Sequence, residues 1–140
     1  MDNNINLDKF PVIIREKEGF VFPKGTKFEY EPFIAYRGIE RKENDYTDVT
    51  ELDFRSYAEL GKKSRRIDTD DPSYFSVSLY TDRKGVENAL CFPRKNRKIA
   101  KGKVCCEIGP ILMKNRDGHV DWWLYDNVKV EGFIICEEGE

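Results

Sequence analysis

Alternating apolar and polar residues predict a β-strand in the stretch YFSVSLYTD, residues 74–82. One side of this strand carries the apolar residues Phe75, Val77 and Leu79. Ser76 and Ser78 share the other side, and Asp82 stands where the N-cap of a following helix is expected. The apolar side is predicted to face the core, so the two hydroxyl groups lie on a solvated face or line a site.

Two helices are predicted from capping residues and helical spacing. Thr50 is a suitable N-cap for a helix over residues 51–60, and Gly61 supplies its C-terminal stop. A second helix is predicted in DRKGVENALCF, residues 82–92, which follows the strand directly.

Further strands are predicted from apolar runs bounded by turn residues. They are PVIIRE at 11–16, PFIAYRG at 32–38, GKVCCEIG at 102–109, a hairpin of GPILM and HVDWWLYD across MKNRDGH, and VKVEGFIIC at 128–136. A helix lies between strands early in the chain, and strands dominate later. We therefore expect an α+β fold with a mixed, mostly antiparallel sheet of five to seven strands and about two helices.

Length and termini predict one domain in the cytoplasm. A chain of 140 residues fits a single domain, 1–140, in which residues 1–10 are expected to form a loose N-terminal tail. The N-terminus MDNNINLDKF lacks the basic and apolar segments of a secretion signal, and no apolar run approaches the length of a membrane span. The four cysteines are therefore expected to be reduced, and without CxxC spacing they predict no metal site.

Charge is distributed unevenly along the chain. The net charge is near −2, which gives no global basic field for nucleic acid. The run RKNRKIAKGK, Arg94 to Lys103, is nevertheless strongly basic, and the C-terminal CEEGE is acidic. Such a basic run is either a solvated loop or a patch that faces phosphate groups.

The strand HVDWWLYD combines a base, an acid and two aromatic rings on one side. Alternation assigns its apolar residues Val120, Trp122 and Leu124 to the core. The other side carries His119, Asp121, Trp123 and Tyr125, a combination that suits a planar ligand such as a nucleobase or nicotinamide. His119 could act as a base near neutral pH. Alternatively, the rings cover the sheet under a loop, and Asp121 only orients His119.

A further set of residues follows an order known from one enzyme family. Arg37 ends the strand AYRG, Ser76 and Ser78 lie on a strand that leads into a helix, and Glu107 is predicted to lie in the later strand CCEIG. Over Pro32 to Tyr125 this order resembles the arginine–serine–glutamate pattern of ADP-ribosyltransferase-like proteins. The family's Ser-Thr-Ser is Ser-Val-Ser here, and Cys105 replaces the Gln or Glu that often stands two residues before the glutamate.

The resemblance implies an ADP-ribosyltransferase-like fold and a transferase that uses NAD⁺ with a protein or nucleic-acid acceptor. Arg37 would bind the diphosphate, and Ser76 and Ser78 would shape the ribose pocket. Glu107, or Asp121 in its place, would be the acidic residue. An aromatic ring would stack on nicotinamide, and the Arg94–Lys103 run would contact the acceptor or the NAD⁺ phosphates. Small proteins of this kind occur in toxin–antitoxin and phage-conflict systems.

Two other classes of function stay open. The first is a non-catalytic interaction module of the inhibitor, antitoxin or immunity type, in which the aromatic residues of 119–125 form a contact hot spot. The second is a small RNA-binding domain, in which Trp123 and Tyr125 stack bases beside the basic run. In the plainest alternative, Arg37 pairs with an acid, Ser76 and Ser78 face solvent, and Glu107 lies opposite Lys101 or Lys103.

Overall fold

The computed structural model describes residues 7–92, 94–114 and 118–136. Six strands in this part of the chain form one antiparallel sheet in the order β4-β5-β2-β1-β3-β6. The strands are β1 (Phe33–Glu40), β2 (Val77–Tyr80), β3 (Arg97–Val104), β4 (Ile111–Met113), β5 (His119–Trp122) and β6 (Ile134–Ile135). The α-helices are α1 (Val12–Arg15), α2 (Tyr57–Leu60) and α3 (Arg83–Leu90), and 3₁₀ turns lie at Leu7–Lys9, Glu51–Asp53 and Pro72–Phe75. The predicted α+β class is confirmed.

One side of the sheet, here called the core face, is covered by aromatic rings. It carries the buried residues Ala35, Ile39, Val77, Leu79, Ala100, Val120 and Trp122. Phe54 and Phe133 pack on this face with their ring centroids 4.8 Å apart. Trp122 is fully buried, and its indole Nε1 donates a hydrogen bond to the carbonyl of Gly109 over 3.1 Å. The core prediction for Val120 and Trp122 is therefore confirmed.

The opposite side, here called the outer face, is partly covered by α3. Asp82 caps this helix as predicted, because its Oδ1 accepts a hydrogen bond from the Gly85 amide over 2.8 Å. Leu90, at the other end of α3, lies against Gly38 of β1 so closely that a Cβ atom at Gly38 would collide with it. A larger residue at position 38 would therefore force the Leu90 side chain to move from its place on the sheet.

A second hydrophobic cluster contains residues from the beginning, middle and end of the chain. Its buried members are Phe10, Ile14, Phe22, Ala58, Phe75 and Trp123. Phe22 packs edge-on against Trp123 with centroids 5.3 Å apart, and Trp123 Nε1 donates to the Pro72 carbonyl over 2.9 Å. Of the predicted loose tail, residues 1–6 lie outside the described residues, whereas Phe10 is only 1% exposed.

Three predicted elements have different boundaries or types. PVIIRE contains helix α1 instead of a strand. The helix predicted over 51–60 is a 3₁₀ turn followed by α2, because Thr50 and Ser56 each form their own capping box and so start two elements. The predicted final strand, 128–136, is reduced to the two residues of β6.

Two predicted strands have different boundaries from those expected. The stretch 74–82 starts within a 3₁₀ turn that Asp71 caps and Pro72 opens, so only Val77–Tyr80 is strand. The strand in GKVCCEIG ends at Val104, and a turn follows in which the Ile108 amide donates to the Cys105 carbonyl over 3.1 Å. The predicted hairpin is confirmed as the antiparallel pair of β4 and β5, although turn residues 115–117 lie outside the described residues.

Candidate ligand-binding face

Arg37 joins two strands and a loop through backbone carbonyl groups. Its Nε donates to the carbonyl of Asp53 over 2.8 Å, and its Nη1 donates to the carbonyl of Ser78 over 3.0 Å. The guanidinium lies over the Phe54 ring, 5.4 Å from the centroid. Burial lowers the pKa of Arg37 to about 10, an effect that Asp53 partly offsets, so the side chain stays cationic at neutral pH.

The two predicted serines lie in different environments. Ser76 is buried, and its Oγ donates to the Ser73 carbonyl over 2.9 Å at the end of a 3₁₀ turn. Ser78 is exposed on the outer face, where its strand pairs it with Asp121. Arg37, by contrast, pairs with Ala100 on the core face. The side chains of Arg37 and Ser78 therefore lie on opposite sides of the sheet.

The remaining predicted residues are also distributed over the molecule. Glu107 is exposed in the turn after β3. Trp123 is fully buried in the second cluster, and Tyr125 packs there against Phe10 with centroids 4.9 Å apart. Burial raises the pKa of Tyr125 above its ordinary value. Of the predicted catalytic and cofactor-binding residues, the structure brings together three: Ser78, His119 and Asp121.

These three residues and Lys114 form a compact polar cluster on the outer face. His119 Nε2 lies 3.1 Å from Ser78 Oγ and 3.6 Å from Asp121 Oδ1. The other carboxylate oxygen of Asp121 lies 3.1 Å from Lys114 Nζ. Asp121 is only 1% exposed, although Lys114 and Ser78 reach solvent. The cluster therefore places a buried carboxylate between an imidazole and an ammonium group.

The cluster does not have the geometry of a serine–histidine–aspartate triad. A triad uses both ring nitrogens, one toward the serine and one toward the carboxylate, whereas Ser78 and Asp121 both face Nε2 of His119. Burial lowers the pKa of His119, Lys114 lowers it further, and Asp121 opposes the shift. The lowered pKa favours the neutral imidazole form of His119 near neutral pH.

Asp121 has an incompletely satisfied carboxylate. Its Oδ2 makes no aligned hydrogen bond within the described residues, so the contact with Lys114 is a charge interaction without hydrogen-bond geometry. A buried carboxylate in this condition is costly for the fold. Its presence in a sheet between Leu112 and Ser78 is therefore a feature that packing alone does not require.

A row of paired side chains runs from this cluster across the outer face. Strand register places His119 opposite Tyr80, Tyr80 opposite Tyr36, Tyr36 opposite Lys101, and Lys101 opposite Ile134. These five residues are called the tyrosine row below. The rings of Tyr80 and His119 lie 5.1 Å apart, and Lys101 Nζ lies 5.8 Å from the Tyr36 centroid. With strands about 4.8 Å apart, the row is about 19 Å long.

Lysines from the predicted basic run lie beside this row. Lys103 is exposed next to Lys101, opposite Ile34 of β1. Strand alternation places Lys98 on the core-face side of β3. Its Nζ donates to the carbonyls of Lys42 and Glu43 over 2.7 and 2.9 Å. Arg97 Nη2 lies 3.5 Å from Glu40 Oε2. The basic residues of the run Arg94–Lys103 are therefore divided between the two faces of the sheet. Lys101 and Lys103 provide positive charge on the outer face.

Comparison of the chain with protein-family models, curated proteins and solved structures finds no match. In the part of the chain that the structure describes, no helix is both long and apolar enough to cross a membrane. Within the same ranges, no three His, Cys, Asp or Glu side chains converge as metal ligands. The function is therefore inferred mainly from the residues of the outer face.

Sequence reasoning missed Tyr36 and Tyr80, although their signal was present. Tyr36 alternates with Ala35 in PFIAYRG, and Tyr80 alternates with Leu79 in YFSVSLYTD, so both tyrosines fall on the side opposite to core residues. What the sequence did not show is that these two residues lie opposite each other.

Proposed function

We propose that the protein binds single-stranded nucleic acid, and RNA in particular, along the tyrosine row. The observation that carries this proposal is the alignment of Tyr36, Tyr80 and His119 on adjacent strands of the outer face. Proteins bind single strands by stacking bases on aromatic rings, at about 1–3 kcal/mol per base, beside cationic groups that follow the phosphates. A sheet surface that carries aromatic rings is one of the arrangements that serve this purpose, and Tyr36, Tyr80 and His119 are each partly exposed.

Charge on the outer face supports an anionic ligand. Lys114 lies at the His119 end of the row, and Lys101 and Lys103 lie at the other end. A strand whose bases stack on the central rings would therefore meet ammonium groups on both sides. The net charge of the chain is −2, so this attraction is local and acts at short range.

The test is fluorescence anisotropy with a labelled single-stranded RNA of ten nucleotides, titrated at several salt concentrations. Affinity should fall steeply as salt rises. Tyr36→Ala should weaken binding by roughly 5- to 150-fold, which corresponds to the loss of one stacked base at about 1–3 kcal/mol. Tyr57→Ala removes an exposed tyrosine at the start of α2 and is the matched control. Absence of binding at low salt, or equal effects of both substitutions, would contradict the proposal.

NAD⁺ binding by an ADP-ribosyltransferase-like protein is the second candidate. It is favoured by the hydrogen bond from Arg37 Nη1 to the Ser78 carbonyl, which joins the first two motifs of the resemblance. Beyond its two bonds to carbonyls, the Arg37 guanidinium makes no other hydrogen bond within the described residues, so it retains N–H donors for a phosphate. Glu107 or Asp121 would be the acidic residue.

Thermal unfolding with and without millimolar NAD⁺ tests this candidate. Ligand at about a hundred times its dissociation constant stabilises a protein by roughly 2.7 kcal/mol, which raises the melting temperature by several degrees. An unchanged melting temperature would argue against NAD⁺. The interaction-module hypothesis relied on the aromatic residues of 119–125, of which Trp122 and Trp123 are fully buried, and it stays a prediction.

A further inference from the structure

The polar cluster at the β5 end of the tyrosine row holds three ionisable groups, two of which contact the third. Asp121 lies in the middle, with one carboxylate oxygen 3.6 Å from His119 Nε2 and the other 3.1 Å from Lys114 Nζ. An apolar residue at this position would fill the sheet without the desolvation cost of a carboxylate. Half-buried titratable groups beside a specific charge partner, as His119 is here, cluster at functional sites.

The carboxylate fixes the roles that its two neighbours could have. In the tautomer with its proton on Nε2, His119 donates toward Asp121 and Ser78, and Nδ1 is then the nitrogen that can accept a proton. Lys114 Nζ lies 3.1 Å from the carboxylate, and the Lys114 side chain is 40% exposed. One buried negative charge therefore holds a base and a cation near each other on the outer face.

We propose that the outer face cleaves RNA at the β5 end of the tyrosine row, with His119 as general base and Lys114 as general acid. This inference rests on the proposed RNA-binding function. Tyr80 and Tyr36 would hold the bases on one side of the reacting phosphate, and Lys114 would also lie near the phosphate oxygens. Asp121 and Ser78 touch His119 and not the substrate, so they are positioning residues.

The reaction needs only groups that RNA and the protein supply. His119 removes the proton from a ribose 2′-hydroxyl, and the 2′-oxygen attacks the adjacent phosphorus. A bond from this oxygen to phosphorus forms as the bond from phosphorus to the 5′-oxygen breaks. The departing 5′-oxygen takes a proton from Lys114. The products are a 2′,3′-cyclic phosphate and a 5′-hydroxyl, and solvent then restores the protonation states of His119 and Lys114.

The experiment is a single-turnover cleavage assay with protein in excess over labelled RNA. The substrate contains one ordinary ribose among 2′-O-methyl nucleotides, so that cleavage is expected at one bond and leaves a cyclic phosphate. His119→Gln should slow cleavage by about 100- to 10,000-fold, the usual effect of losing a general base. Tyr57→Ala, purified in parallel, should cleave at the wild-type rate. Equal rates in wild type and His119→Gln would overturn the inference and indicate a contaminating nuclease.

Binding and cleavage can fail separately. If anisotropy shows that wild type binds the fully 2′-O-methylated RNA but the single-ribose substrate stays intact, the cleavage inference is overturned and the binding proposal survives. If neither RNA binds, both are overturned. Cleavage of the fully 2′-O-methylated RNA would also overturn the inference, because that RNA has no free 2′-hydroxyl.

The pH profile distinguishes a positioning role of Asp121 from a purely structural one. The charges that face His119 are those of Asp121 and Lys114, and its ring contacts Tyr80 and Ser78. The cleavage rate should rise with pH through the His119 pKa. Asp121→Asn removes the charge that raises this pKa, so the rise should move to lower pH. An unchanged midpoint in a folded Asp121→Asn variant would overturn the positioning role and the assignment of His119 as the base.

Discussion

Arg37 and Ser78 lie on neighbouring strands of one sheet but on opposite faces. The polar side chains of these two faces make different kinds of contact. On the core face, the Arg37 guanidinium donates to two backbone carbonyls and lies on the Phe54 ring. On the outer face, His119 contacts both Ser78 and Asp121, and within the described residues one oxygen of Asp121 has no aligned hydrogen bond. Polar groups on the core face thus stabilise the fold, whereas those on the outer face remain able to meet a ligand.

Of the substitutions that test this difference, Trp122→Ala should cause the largest loss of stability. Trp122 is fully buried on the core face, and loss of a large buried ring should lower the free energy of unfolding by about 3–5 kcal/mol. Tyr36→Ala on the outer face should cost clearly less, because the Tyr36 ring is only partly buried. Urea denaturation measures both values. Similar losses from the two substitutions would show that the faces do not differ in this way.

Arg37→Met should have the next largest effect. It removes the donor to the carbonyls of Asp53 and Ser78. Because water can reach at least the Ser78 carbonyl, we expect each lost hydrogen bond to lower the free energy of unfolding by about 0.5–1.5 kcal/mol. RNA affinity should be unchanged, since the guanidinium lies on the core face. Arg55→Met is the control, because Arg55 is exposed and makes no hydrogen bond within the described residues. If Arg37→Met has wild-type stability but binds RNA more weakly, Arg37 contacts the RNA and does not mainly stabilise the fold.

His119 should make the stability of the fold depend on pH. Its pKa is lower in the folded protein than in the unfolded chain, mainly because of burial. The unfolded chain therefore binds more protons just below the ordinary histidine pKa, and the free energy of unfolding should decrease as pH falls through that range. Denaturation at pH 7 and pH 5.5 tests this, with His119→Gln as the comparison. The variant should lose less stability than wild type over this interval.

Lys101→Ala should have the smallest effect on stability. Lys101 contacts the Tyr36 ring at the surface, so its loss should change the free energy of unfolding by about 0.5 kcal/mol or less. It should nevertheless reduce the salt dependence of RNA binding by about 0.7 in the logarithmic slope, the value for one phosphate contact on a single strand. Lys24→Ala, at an exposed turn, should leave the slope unchanged.

Local patterns predicted those features that depend on a few adjacent residues. Alternation placed Val77 and Leu79 on the core face, and the Asp82 cap started α3 where expected. The same rule failed for the residues just before β2, because the Asp71 cap and Pro72 together favour a 3₁₀ turn that ends at Ser76. Trp123 was predicted to face a ligand, but its ring is buried in the second hydrophobic cluster. Its backbone amide donates a hydrogen bond to the Pro110 carbonyl.

The candidate site depended on information that no local pattern contains. The tyrosine row exists because Tyr36 lies opposite Tyr80, and these residues are brought together by pairing of strands distant in sequence. A shift of one residue in that register would send one tyrosine to the core face. The burial of Asp121 likewise depends on neighbours from β2 and β4.

Strand β6, which is much shorter than its neighbour β3, has a consequence for the solubility of the protein. β3 has eight residues, but within the described residues β6 pairs with Ala100 and Lys101 alone, so much of the β3 edge has no strand beside it. An exposed edge can recruit a strand from another molecule and start aggregation, and edge lysines oppose this by repulsion between copies. The lysines of RKNRKIAKGK should therefore protect the protein at high concentration, whatever the outer face binds.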